Sequence, residues 1–340
     1  MMNTFTKPIQ VYRGAYLESS HDVHIAVVKA NGEMLASYGD PNRLTFARSS
    51  MKPFQALPVT ESGALKAFNL SDRELAVFCA SHNGEPFHRQ AVKNVLQKIN
   101  LKEAHLQCGT HIPKDMDSYK QLIKNGGELT SVYSNCSGKH AGMLAGCVQQ
   151  NMDVASYREQ THPYQQQIVN AIADVSDYDK ANIAMAVDGC GVPVHRLPLY
   201  NLALAFGRLA SPDEWEGGSK MRRESLKHVG EAMANYPEMV AGTNRFDTDL
   251  MMAYQGRIAA KGGAEGVHCF ADRHTGIGVA VKAEDGNARA ADVASMEVLH
   301  QLNIGNHAIK DQLQTYHHAP VKNARQEKIG EIKPAFELNR

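Results

Sequence analysis

The chain has 340 residues, with 36 Lys plus Arg against 36 Asp plus Glu and 43% hydrophobic residues. That apolar content supports a substantial core and excludes wholesale disorder, and the length allows two domains or one large one. Balanced charge lacks the basic excess of a nucleic-acid binder, and no apolar run approaches the ~18 residues that span a bilayer, so neither nucleic acid nor membrane is expected as a partner.

The N-terminal MMNTFTKPIQVYRG has no basic stretch leading into an apolar one, so a cytoplasmic location is the expectation. Cys79, Cys108, Cys136, Cys147, Cys190 and Cys269 are too few for a disulfide scaffold and are expected to be mostly reduced.

Apolar segments at 9–17, 23–29 and 33–38 open the sequence as strands. Asn31-Gly32 joins the last two and suits a tight hairpin turn. From about 49 to 180 the pattern is helical. Ser71-x-x-Glu74 is a capping box opening a helix into LAVFCA. Segments 163–176, 197–209 and 219–234 also read as helices, and Ser211-Pro212 as a further start with Pro at the first helical position. Strand patterns return at 256–260, 266–271 and 276–283, before a helix near 289–302 and a polar tail. This order predicts an α/β fold of the α+β kind, with one antiparallel sheet from about 1–48 and 250–340 and a helix-rich region at about 49–249. No linker or repeat interrupts it, so residues 1–340 are expected to form one intertwined unit.

Chemistry concentrates in five short segments. In ARSSMKPFQALP, Ser49 and Lys52 stand three apart where the helical pattern begins, so they share a face. A serine needs a base to become a nucleophile. A lysine serves as that base only when uncharged, a state favoured by burial and by a second cation nearby. In CASHNGEPFH, polar Ser81, His82 and Asn83 follow an apolar element, and in AAKGG Lys261 ends a strand-like run. Ser49-x-x-Lys52, Ser81-x-Asn83 and Lys261-Gly-Gly follow the order found in serine acyl-enzymes of the penicillin-recognising type. Gly262 replaces the hydroxyl residue of that pattern, which argues against a penicillin or peptidoglycan substrate.

The other two segments are SNCSGKHAGMLAG and AVDGCGVPVH. Cys136 opens a helix, whose free N–H groups suit an anion, and Lys139 and His140 follow on one face. A buried-looking strand ends at Asp188, before Gly189-Cys190-Gly191. Cys136 and Cys190 are candidate thiolates for zinc, with His140 as the ordinary third ligand and Asp188 as a further one. His82, Glu85 and His88 lack metal-ligand spacing, Gly276-Ile-Gly278 lacks the third glycine of a dinucleotide site, and Asp247-Thr248-Asp249, which could line a pocket, reads more simply as a helix cap.

The segments FARSSMKPFQALP, ASHNGEPFH, NCSGKHAGML and DGCGVPVH, with AAKGG, resemble the rhizobial-type (class 3, asparaginase II) L-asparaginases over residues 10 to 335. The resemblance implies hydrolysis of L-asparagine to L-aspartate and ammonia, a fold akin to serine β-lactamases and glutaminases, and a homodimer. Carried over by residue, two serine–lysine pairs fall on Ser49 with Lys52 and on Ser81 with Lys261. A zinc beside the catalytic centre falls on Cys136, Lys139 and Cys190, with Lys139 in place of His140.

Asn83, His140 and Asp188 are then expected around the substrate, and Arg48 is the candidate for gripping its carboxylate. The expected reaction is acyl transfer: Lys52 deprotonates Ser49, Ser81 with Lys261 relays protons, and zinc tunes the pocket without being strictly essential. Glutaminase and β-lactamase-like acyl-enzymes are the neighbouring readings, a zinc-bound water is a rival nucleophile, and an amino-acid-binding module is the non-enzymatic alternative.

Overall fold

A computed structural model describes residues 7–340, so the first six residues of the N-terminal segment read for an export signal lie outside the described residues. The central layer is a five-stranded antiparallel sheet that joins the two ends of the chain. Its strands are β3 (Val23–Lys29), β4 (Met34–Tyr38), β8 (Ile258–Gly262), β9 (Val267–Asp272) and β10 (Ile277–Ala283), in the order β4-β3-β10-β9-β8. β3 and β10 pair in register, Val27 opposite Val279. The expected hairpin forms at Asn31-Gly32, where Gly32 has φ 93°, a conformation that favours glycine.

Every residue of β9 and β10 is buried, because helices cover both faces. On one face the helix Leu199–Ala210 lies close enough that a Cβ at Gly278 would sit 2.0 Å from the Gly207 nitrogen. On the other the helix Ala288–Gln301 packs, with His268 bonded to Ser295. Lys261 pairs with Cys269, so the pleat turns it to the face opposite His268, toward the helical region.

Two smaller sheets flank this layer. β1 (Ile9–Arg13), β2 (Tyr16–His21), β11 (Ala319–Lys322) and β12 (Lys328–Pro334) form one, in the order β11-β12-β1-β2. β5 (Leu44–Phe46), β6 (Ala184–Val187) and β7 (Pro193–Pro198) form the other, in the order β5-β7-β6.

Several expectations are corrected. The run 9–17 is two strands, because Gly14 at φ 55° turns the chain between them. The polar tail contains β11 and β12, and β12 covers the free edge of β1. Pro212 opens one 3₁₀ turn, Pro212–Glu214, which ends at Trp215. The strand before Asp188 is an exposed edge, with Val187 79% accessible.

In the helical region, Ser71 and Glu74 form both bonds of the capping box at the start of the helix Asp72–Phe78. The helix Ser137–Gln149 is buried from Ser137 to Cys147. Gly138, Gly142 and Gly146 line one face of it, where Cβ atoms would meet the Val77 carbonyl, the Phe78 ring and the Tyr164 ring. That close approach sets Cys136 and its neighbours beside the segment that follows Phe78. All six cysteines are buried and free. No helix among the described residues is long and apolar enough to cross a membrane.

Candidate active site

A short 3₁₀ turn, Arg48–Met51, leads directly into the helix Lys52–Gln55. Arg48 occupies the left-handed region at φ 50°, which a branched side chain enters at a cost of order 1 kcal/mol. Its guanidinium is held on Asp188 at 3.0 Å, with Glu265 at 3.8 Å, and these ion pairs fix the backbone just before Ser49. Arg48, the candidate for the substrate carboxylate, thus already has two carboxylate partners.

Lys52 is wholly buried. Its Nζ lies 2.5 Å from the Ala80 carbonyl, 3.0 Å from Ser81 Oγ and 3.2 Å from Cys136 Sγ. The hydrogen-bonded pair is therefore Lys52 with Ser81, whereas the sequence spacing and the resemblance pair Lys52 with Ser49. Ser49 lies in the same turn and its side chain makes no hydrogen bond among the described residues. Ser49 and Ser81 both line one cavity of about 440 Å³, together with Asn135, Arg245, Asp247, Gly262, His268 and Asp292 among others. A cavity of similar volume, about 470 Å³ beside Arg208 and Trp215, is lined by no serine, cysteine or lysine.

Lys261 is also fully buried. It donates to the Gly262 carbonyl at 2.6 Å and faces Asp247 at 3.6 Å. Burial lowers it to about 8, against the pull of Asp247 and with the push of Lys52 and Arg245. It therefore shares one low-dielectric region with Lys52. Asp247 is fixed by the Gly262 N–H at 2.9 Å and by His268 at 3.1 Å, and it sits far below the ordinary carboxylate range. Burial opposes that shift, but Lys261 and His268 outweigh it.

Asn83 ties the rim together. Its side chain accepts from Arg245 at 2.9 Å and donates to the Thr243 carbonyl at 2.9 Å. Its backbone carbonyl accepts from the Asp115 N–H. His82 bonds Ser137 at 3.0 Å and stacks on His88, so neither imidazole is presented as a metal ligand.

The thiols adjoin this cavity. Cys136 caps the helix Ser137–Gln149, and Cys190 follows the turn at Asp188. Lys139 Nζ is 3.0 Å from Cys190 Sγ. A hydrogen bond from Cys136 lowers the Cys190 thiol, burial opposes this, and the Lys139 charge assists it. Burial pulls Lys139 down, but Cys190, Cys136 and Asp188 together hold it above its ordinary value. His140 bonds Tyr157 through Nδ1 at 2.6 Å, while its buried Nε2 has no partner among the described residues. No trio of His, Cys, Asp or Glu among the described residues forms a metal site. The available set is two sulfurs and an amine, with the unpartnered imidazole nitrogen of His140 beside Cys190.

Sequence reasoning singled out Ser49, Lys52, Ser81, Lys261, Asn83, Cys136, Lys139, His140, Cys190, Asp188 and Arg48, and the fold brings them into neighbouring contacts, Lys52 with Ser81 and Cys136, Lys139 with Cys190, and Arg48 with Asp188. It missed Arg245, Asp247, His268 and Asp292. The Asp247-Thr248-Asp249 run was the available signal for one of these, but Asp247 faces the cavity from inside the helix Phe246–Ala253.

Comparison with solved structures gives partial likenesses. A β-lactamase from Mycobacterium bovis is 14% identical over 87% of this chain and 95% of its own, with a TM-score of 0.42. The structure of Mglu is 15% identical, covering 87% and 71%, with a TM-score of 0.37. The D-alanine carboxypeptidase AmpC from Burkholderia cenocepacia is 14% identical, covering 78% and 88%, with a TM-score of 0.36. No curated protein matches the chain. Lys261, which the resemblance pairs with Ser81, contacts Gly262 and Asp247 instead, but the family model described as L-asparaginase II matches residues 9–334, and the chain belongs to that family of amidohydrolases.

Proposed function

We propose that the protein is an L-asparaginase that cleaves the side-chain amide of L-asparagine through a serine ester. The observation that carries this reading is the wholly buried Lys52 hydrogen-bonded to Ser81 at the floor of the cavity that Ser49 also lines. Ser49 supplies the attacking oxygen, since it lines the cavity and its side chain makes no competing hydrogen bond among the described residues. The Lys52–Ser81 couple accepts the proton and returns it to the departing nitrogen, so ammonia leaves. Water then hydrolyses the ester by the same proton route. Lys261 keeps a second amine close to its uncharged state beside that couple.

The thiol cluster fits a zinc ion, because a soft divalent metal takes up two sulfurs and an amine once their protons leave. Cys136, Lys139 and Cys190 would hold it, and when bound it would supply local positive charge beside the substrate. Lys139 bridges to Cys190 at 3.0 Å, so metal entry would displace that ammonium–thiolate contact.

Ammonia release from asparagine and glutamine, assayed in parallel on wild type, Ser49→Ala and Ser81→Ala, tests the chemistry. One methylene separates the substrates, worth about 1–3 kcal/mol in a fitted pocket. Ser49→Ala is expected to lose at least 1000-fold in kcat and to show no acyl adduct by intact mass, whereas Ser81→Ala retains a slow, trappable ester. An adduct on Ser49→Ala would move the nucleophile to Ser81. Equilibrium dialysis against Zn²⁺ is expected to give one ion per chain, lost in Cys190→Ser; equal uptake by that variant would place the metal elsewhere.

A further inference from the structure

We infer that the cavity reads its ligand as a free α-amino acid, with Arg245 receiving the α-carboxylate and Asp292 the α-ammonium. This rests on the reading of the cavity as an amide-hydrolase site and names how that site selects its substrate.

Three cations near the serines differ in their availability, and of these exposed Lys114, on the cavity rim, offers a point charge rather than a planar fork. Arg48 is ion-paired to Asp188 and Glu265. Arg245 lines the cavity and has no carboxylate within ion-pair distance among the described residues. One edge of its guanidinium is fixed, with Nη1 donating to Asn83 Oδ1 at 2.9 Å and toward the Ser81 carbonyl at 3.4 Å. Nε and Nη2 make no hydrogen bond among the described residues. A half-anchored guanidinium with a free edge is preorganised to take a carboxylate through two parallel bonds. The anchors are the Asn83 side chain and, at longer range, the Ser81 carbonyl, so the carboxylate's position is tied to the segment that carries Ser81.

The carboxylates divide in the same way. Asp247 is saturated by Gly262, His268 and Lys261. Asp292, on the helix Ala288–Gln301, lines the same cavity with no hydrogen bond or ion pair among the described residues. Burial, with Asp247 nearby, raises it to about 6, so it is still ionised at neutral pH and gains from a cation brought to it. Among the described residues the cavity therefore holds Arg245 with a free guanidinium edge, exposed Lys114 as a second unpaired cation, and Asp292 as an unpaired carboxylate, beside two serines. This arrangement matches a zwitterion with a side-chain amide and disfavours a peptide-bonded asparagine, whose α-groups are not charged.

Calorimetric titration with three small acids separates the two contacts without relying on turnover. L-Aspartate carries both α-groups, succinate lacks the amino group, and β-alanine lacks the α-carboxylate. In Arg245→Gln, aspartate and succinate are expected to weaken at least tenfold while β-alanine weakens less than threefold. In Asp292→Asn, aspartate and β-alanine are expected to weaken at least tenfold while succinate does not. Arg245→Lys, which keeps the charge without the fork, is expected to fall between wild type and Arg245→Gln for aspartate.

Equal losses for all three acids would assign these residues a merely structural role, and unchanged affinities, or no binding of aspartate by the wild type, would also overturn the inference. Ammonia release from asparagine by the wild type is scored separately, so failed catalysis is distinguishable from failed recognition.

Discussion

At the scale of single residues, the site works by desolvation. Lys52 and Lys261 are both at 0% exposure, and two ammonium ions cannot share so small an apolar volume cheaply. Lys261 titrates near 8 in the fold, against about 10.4 for an unperturbed lysine. If its free amine takes part in proton transfer, kcat/KM rises with pH and reaches half its plateau near 8. Asp247 opposes the lowering, so Asp247→Asn is expected to move that rise to lower pH, as a pH–rate series would read. A profile flat between pH 7 and 9 would exclude Lys261 from proton transfer. The same shift acts on stability. Between about 8 and 10.4 the unfolded chain binds more protons than the folded one, so this group makes stability increase with pH across that window. Below it, the cost of burying the charge is present in full.

At the scale of elements, close helix contacts set the geometry. The helix Ser137–Gln149 brings Lys139, with Cys136 at its cap, beside Cys190 and Lys52 only because Gly142 and its neighbours allow it against Phe78. A Cβ at Gly142 would lie 2.7 Å from the Phe78 ring, which is itself buried in the core. Gly142→Ala is expected to cost about 1–3 kcal/mol by overpacking, read as a lower urea midpoint. Gly217→Ala, whose Cβ would meet nothing nearer than 3.4 Å, is the control and is expected to stay within about 0.5 kcal/mol of wild type.

The elements also show what a sequence makes legible. Local signals survived: the Ser71 capping box, the Asn31-Gly32 hairpin, and strands β3, β8, β9 and β10 all stand where their patterns put them. Ser49 and Ser81, singled out by their spacing from lysine and asparagine, line one cavity. Non-local facts did not survive. Nothing within ARSSMKP says that Lys52 will reach across 29 positions to Ser81. Arg245 and Asp292 sit in segments whose local pattern is ordinary, and become notable only because the fold leaves them without an ion-pair partner among the described residues. Short strands such as β5 and β6 have too few residues for alternation to register.

At the scale of the whole molecule, the site depends on closure of the chain's ends. The residues that line the cavity come from Ser49 through Asp292, and the sheet that carries Lys261 is completed by N-terminal strand β3. The tail that looked merely polar takes part in this closure. β12 pairs with β1 along five positions, from Ile9–Pro334 to Arg13–Gly330, and Asn339 bridges Ser37. Ile332, Phe336 and Leu338 are buried, and the Phe336 ring packs 4.9 Å from Tyr38.

Ending the chain after His318 would remove those three side chains, each worth about 1.5–3 kcal/mol when fully buried, and would leave β1 with an unpaired edge that invites association. The expected outcome is a melting temperature lowered by 10 °C or more, with increased aggregation by light scattering, although no cavity-lining residue is removed. If the truncated chain kept both its melting point and its ammonia release, the tail would be a dispensable cover and the site would be supported by β3 and β10 alone.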